Sequence, residues 1–183
     1  MKKTLLVVAA LLILPIMFTS CAKKVEIKRL NINAKEIQSV IRNFKEAECN
    51  IGVDDYNKYL EFSQGHPENM KTKLGKYTNS QGYNEIIVDR IPDMYRKACF
   101  LGKHTLQIEA ITYKKYFQDS DNKKIGYEYT IKFQAYYVDT KKEVEMEQKG
   151  IVSLVNSNSE WKIYDDKIIS MDKQFTNEMK SVM

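Results

Sequence analysis

The chain has few of the residues from which familiar catalytic sites are built. Its 183 residues include only two histidines, three cysteines and seven glycines. The glycines form no G-x-S-x-G, phosphate-loop or G-x-G-x-x-G pattern, so the local signatures of serine hydrolases and nucleotide-binding proteins are lacking. His66 falls in a predicted turn and His104 at the start of a predicted strand, each without an acid at a suitable spacing. We expect both at the surface or at a strand edge, and the sequence predicts no catalytic residues and no cofactor.

The acidic residues form no convincing metal site either. Asp119, Asp121 and Asn122 resemble the start of a calcium loop, but lysines at 123–124 take its fifth and sixth positions, where they would repel a cation. A second acidic group lies on one face of a predicted strand and faces lysines such as Lys132, as in ordinary cross-strand pairs. It consists of Glu143, Glu145 and Glu147. We therefore predict no bound metal.

The first twenty-one residues carry the most specific pattern. Lys2 and Lys3 precede an uncharged apolar run at 5–17, which is typical of a signal-peptide core and too short for a stable membrane span. The last four residues of this stretch, FTSC, resemble the lipobox of bacterial lipoproteins, with Phe18 where Leu is common. The resemblance implies that Cys21 receives a diacylglyceryl group and becomes the first residue after cleavage. An ordinary secretory signal and an uncleaved anchor are the alternatives.

This resemblance sets the expected organisation and location. Residues 1–20 would be a removed signal peptide, and two acyl chains on Cys21 would hold the protein stably in the lipid bilayer on the outer side of a bacterial cell membrane. Residues 21–32 are expected to be a basic tether, which either lies against anionic head groups or is solvated. Loss of 1–20 removes two lysines and no acid, so the net charge falls from +5 to +3. This charge is too small to indicate nucleic acid as a partner.

Residues 33–170 have the length and patterning of a single α+β domain. Asn33 is a predicted N-cap, and apolar residues at helical spacing follow it. The predicted helices are at 34–48, from residue 54, within 68–90, and at 92–100. The tail at 171–183 is expected to be helical or frayed.

The second half of the domain has the period-two pattern of antiparallel strands. We expect a strand from His104 with a β-bulge near Ala110, a hairpin loop at 118–124, a long strand at 125–137, a strand bent at Gly150, and a short last strand at Trp161. The strand at 125–137 has the clearest alternation. The residues on its apolar face are Ile125, Tyr127, Tyr129, Ile131, Phe133, Ala135 and Tyr137.

Helices followed by long bent strands resemble the nuclear transport factor 2-like superfamily, and the segment GIVSLVNSNSEWKIYDDKII resembles its last hairpin. The resemblance implies N-terminal helices packed on a curved antiparallel sheet of about four strands, forming a cone with a pocket at its mouth. Five residues would face the inside of this cone: Tyr127, Tyr129, Ile131, Phe133 and Trp161. They are either core or, for the four other than Ile131, the lining of a pocket for a small apolar ligand. The Asp/His or Tyr/Asp pair of the superfamily's enzymes is not recognisable here.

Two questions stay open at this level. Cys49 and Cys99 either pair as a disulfide, which an extracytoplasmic compartment permits, or act as small buried hydrophobic residues. The predicted function is a membrane-anchored lipoprotein with a non-enzymatic binding or protein-interaction domain that meets an envelope protein or a small apolar ligand. The alternatives are an envelope enzyme of unfamiliar type and an accessory subunit of a secretion or conjugation machine.

Overall fold

A four-stranded antiparallel sheet forms the centre of the domain. The structure is a computed structural model that describes residues 33–55, 73–88 and 91–180. The strands follow one another in the sheet in chain order, each paired with its sequence neighbour. They are β1 (His104–Gln118), β2 (Lys124–Tyr137), β3 (Lys142–Ser157) and β4 (Glu160–Met171). The helices whose bounds fall within the described residues are α1 (Ala34–Cys49), α2 (Ser80–Val88), α3 (Ile91–Gly102) and α4 (Lys173–Lys180).

Helix α1 begins and ends close to its predicted bounds. The Asn33 side chain accepts a hydrogen bond from the Lys35 backbone N–H at 3.1 Å and so caps the first turn. The apolar face formed by Ile37, Ile41 and Phe44 is fully buried. This face packs against β1, β4 and α3 on one side of the sheet, called here the inner face.

The sheet is curved, as predicted, and its bends lie at irregularities in strand pairing. The register of β1 against β2 shifts between Ile108 and Ala110, which confirms the predicted bulge, and again near its end. The pairing of β3 with β4 shifts at Gly150, also as predicted, and between Ser153 and Leu154. Because a bulge locally increases twist and bends the strand, these shifts curve the sheet around α1.

Glycine at position 150 is required by close packing on the inner face. A Cβ there would overlap the Tyr129 hydroxyl and would lie 2.7 Å from the Lys167 carbonyl oxygen. Tyr129 is the direct cross-strand partner of Gly150, so its ring crosses the space that a side chain on β3 would fill.

The C-terminal part of the domain is more extensive than the short last strand that was predicted. Strand β4 has 12 residues and leads directly into α4. Phe175 of α4 is buried, with its ring centroid 5.6 Å from that of Tyr95 and 6.4 Å from that of Phe133. The helix after β4 is thus packed onto the inner face of the sheet.

Several predictions concern residues outside the described ranges. They are the signal peptide, Cys21, the tether, His66 and most of the helix that starts near residue 54. Within the described ranges, none of the helices has both the length and the apolar composition needed to cross a membrane.

Candidate functional site

The four residues predicted to line a pocket all lie in the core. Tyr127, Tyr129, Phe133 and Trp161 are 4%, 2%, 1% and 6% exposed. They share one hydrophobic cluster with the buried face of α1. On the opposite side of β2, Lys132 is exposed, so the predicted alternation along this strand is confirmed.

Charged side chains cross this core beneath α1. The Lys45 ammonium group contacts the Glu48 carboxylate at 2.8 Å and also pairs with the Asp166 carboxylate of β4. All three side chains are completely buried. We call Lys45, Glu48 and Asp166 the buried triad. It joins the first helix to the last strand across 121 positions of sequence.

Polar groups from the remaining elements surround the buried triad. The Lys45 Nζ lies 4.7 Å from the centroid of the Tyr129 ring, in a cation–π contact. The Gln148 side-chain amide donates to the Tyr129 hydroxyl at 3.2 Å, and the Tyr95 hydroxyl donates to the Gln148 carbonyl oxygen. The Cys49 thiol donates to Glu48 Oε2 at 3.6 Å. The network therefore takes one or more groups from α1, α3, β2, β3 and β4.

The charges of the buried triad do not balance. One ammonium group faces two carboxyl groups, and Glu48 Oε1 and Asp166 Oδ1 have no hydrogen-bond partner among the described residues. Burial raises the pKa of Glu48, and the nearby Asp166 adds to this, so that the pKa stays raised despite Lys45. Burial alone would lower the pKa of Lys45, but the two carboxyl groups hold it well above the usual value. An uncompensated charge in such a place costs several kcal/mol.

The hydroxyl and thiol groups near the buried triad are kept neutral. Burial raises the pKa of Tyr95, Tyr129 and Cys49 well above their usual values. Cys49 and Cys99 are both free and buried. They do not form the disulfide that the sequence left open, and they act as small buried side chains. Neither thiol is an activated nucleophile, because the reactive form is the thiolate.

A second polar cluster corrects the expectation for His104. His104 does lie on an outermost strand of the described sheet, one of the two expected positions, but its side chain is completely buried. Its Nε2 lies 2.9 Å from Glu178 Oε2, and its Nδ1 lies 3.2 Å from the Thr105 carbonyl oxygen. The Tyr137 hydroxyl donates to Glu178 Oε1 at 3.1 Å. An acid therefore does lie beside this histidine, but it comes from α4, 74 positions later, and it fixes that helix to the start of β1.

The acidic groups considered as metal ligands have local partners. Asp119 Oδ1 accepts hydrogen bonds from the backbone N–H groups of Lys123 and Lys124, at 2.7 and 3.0 Å, and so closes the predicted hairpin. The three glutamates of β3 lie exposed on the outer face of the sheet. Lys132 is directly opposite Glu147 in the register, as the sequence suggested.

The sequence contained a partial signal for the buried triad. Ile37, Ile41 and Phe44 mark the buried face of α1, and continuing the helical spacing by four residues from Ile41 and Phe44 reaches Lys45 and Glu48. Two charges at buried helical positions are unusual unless they are paired. The partner on β4 could not be identified in this way.

The sequence matches no protein-family model and no curated protein. Solved structures are similar in their general arrangement of helices and strands. The intermembrane space region of the chloroplast protein ARC6 is 11% identical, with a TM-score of 0.46, and the match covers 76% of this chain and 98% of that one. The putative transfer protein TraH from the Gram-positive conjugative plasmid pIP501 is 14% identical, with a TM-score of 0.44 and coverage of 76% and 96%. An IcmL-like type IV secretion system protein from Legionella pneumophila is 10% identical, with a TM-score of 0.45 and coverage of 76% and 95%.

Proposed function

We propose that this chain is a bacterial lipoprotein, anchored through acylated Cys21 on the outer side of the cell membrane, whose α+β domain binds other envelope proteins and performs no catalysis. The observation that carries the second part is the burial of the residues predicted to line a pocket. The residues predicted to line a pocket are at most 6% exposed, and the buried triad beneath α1 is fully enclosed. A domain with this interior meets its partners through its outer surface.

Enzymatic function is the alternative, and the polar network is the place where it would reside. An active site needs its acid, base or nucleophile to reach substrate. Here the tyrosine and cysteine groups next to the buried triad have raised pKa values and lie in the core. Catalysis would require α1 to leave the sheet, whereas protein binding requires no such movement.

The anchor is tested with a Cys21→Ala variant. Without the acceptor thiol, we expect loss of metabolic lipid label and accumulation of uncleaved precursor. The matched control is Cys49→Ala, which removes a buried thiol of the domain and is expected to keep the label. Label retained on the Cys21→Ala protein would contradict the proposed anchor.

The interaction role is tested by photo-crosslinking in living cells. A photoreactive residue is placed at exposed positions of the outer face, such as Lys132 and Glu145, and at Asp121 on the hairpin loop. We expect a discrete protein adduct from one surface only, formed by the anchored protein and lost in the Cys21→Ala background. Mass spectrometry of the adduct identifies the crosslinked protein. Its identity distinguishes a separate envelope protein from a subunit of a secretion or conjugation machine. Uniform or absent crosslinking at all exposed positions would argue against a protein-interaction domain.

A further inference from the structure

The buried triad is short of one positive charge. Lys45 neutralises one carboxylate, and the second carboxylate lies in the same closed space, with both side chains completely buried. The nearby thiol and hydroxyl groups keep their own protons, because burial raises their pKa values, and they carry no charge. The ionisable and polar groups that face the site are Lys45, Glu48, Cys49, Tyr95, Tyr129, Gln148 and Asp166.

The hydrogen bonds are incomplete in a way that matches this missing charge. Glu48 Oε2 accepts hydrogen bonds from the Lys45 ammonium group and from the Cys49 thiol, whereas Glu48 Oε1 has no hydrogen-bond partner among the described residues. Asp166 Oδ1 is a second acceptor that lacks a donor there. Both carboxyl groups meet at the same ammonium nitrogen. One added proton supplies the missing donor and cancels the excess negative charge.

We propose that the buried triad is a closed proton-binding site, which at neutral pH holds one proton on Glu48 Oε1, turned toward Asp166. The proton comes from water as the chain folds, and it adds to a carboxylate oxygen without any change in oxidation state. The filled site then contains an ammonium group, a carboxylate and a carboxylic acid, with no net charge. The site links docking of α1 on the sheet to proton uptake, because a Glu48 exposed to water would release the proton at neutral pH.

Infrared spectroscopy of the full-length Cys21→Ala chain in an ester-free detergent tests this site, because acyl esters on Cys21 would absorb in the same region as a carboxylic acid. A carboxylic acid has a carbonyl absorption well separated from that of a carboxylate. At neutral pH in D₂O, exposed Asp and Glu side chains are ionised, so we expect an acid band from the buried triad alone. The band should be lost in Glu48→Gln, whose amide has the shape of the protonated acid. It should persist in Glu46→Gln, which changes a partly exposed residue of the same helix.

Asp166→Asn provides a second route to the same answer if Glu48→Gln does not fold. It leaves one carboxyl group with one ammonium group, so Glu48 ionises and the band disappears. For the Cys21→Ala protein with the buried triad unchanged, the band should decline only when the pH is raised well above that at which exposed glutamates titrate. The absence of an acid band from this protein at neutral pH would overturn the proposal. A band that survives in folded Glu48→Gln would also overturn it.

Discussion

Replacing Lys45 by Met removes the positive charge of the buried triad while keeping a long apolar side chain in its place. Glu48 and Asp166 are then left together in the core, completely buried. Two adjacent carboxylates cannot both stay ionised in such a site. Removing one partner of a buried ion pair typically costs about 3–5 kcal/mol.

The magnitude for this site follows from the charge that is left without a partner. The variant keeps both carboxyl groups but has no cation facing them, so any carboxylate there is an uncompensated buried charge. Lowering the pH adds protons and removes this charge, so the cost falls with acidification. We expect a loss of about 3–5 kcal/mol at pH 7 that becomes smaller as the pH falls toward 5.

Urea unfolding followed by circular dichroism, repeated between pH 5 and pH 7, measures this loss. The control is Arg42→Met, which breaks the exposed pair with Glu46 on the same helix and should change stability by less than about 0.5 kcal/mol. A triple variant with Met at 45 and Leu at 48 and 166 should regain most of the lost stability, since buried ion pairs are often replaceable by apolar residues. A Lys45→Met loss below about 1 kcal/mol, or one that does not vary with pH, would refute the reasoning.

Three further changes test the packing and the titration of the core. Trp161→Ala should cost about 3–5 kcal/mol in urea unfolding, because the indole is 6% exposed; a change below about 1 kcal/mol would place it at the surface. Gly150→Ala forces a methyl group into the hydroxyl of the facing tyrosine and should cost about 1–3 kcal/mol, while an unchanged urea midpoint would contradict this close packing. The pKa of Glu48 is raised from 4.5 in the folded chain, so its share of the stability is present below pH 4.5 and is lost as the pH rises through the folded value. Glu48→Gln should flatten this part of the stability profile, and an unaltered profile would show that another group causes it.

The fold was largely predictable because the domain is built from long elements with clear periods. The alternation along β2, the N-cap at Asn33 and the change of parity near Ala110 are local patterns, and each corresponds to the predicted feature. Pairing in a sheet whose strands follow chain order adds few further choices. The length of β4 was underestimated because charged residues interrupt its apolar pattern after Ile163.

The candidate site was not predictable, and the irregularity in β4 explains why. Trp161 and Ile163 are buried at odd positions, so simple alternation places Asp166 on the outer face of the sheet. The register shift opposite Ser153 and Leu154 inserts one extra residue in β4, and Asp166 therefore turns inward. Likewise, nothing local to His104 indicates Glu178, which arrives from the last helix. Contacts between residues so far apart in the sequence depend on β-bulges and on how helices dock. Local sequence patterns do not determine either of these.

The separation of the buried triad along the chain has a consequence for the order in which the molecule assembles. The strands can pair one after another as the chain is synthesised, since each hairpin joins sequence neighbours. Helix α1 is made first, yet its ion-pair partner on β4 lies 121 positions further along. Until β4 is complete, Lys45 and Glu48 stay hydrated. Their charges reduce the tendency of the still exposed apolar face of α1 to aggregate with other chains. We expect α1 to be the last of these elements to become protected in pulsed hydrogen exchange during refolding, although it is the first to leave the ribosome.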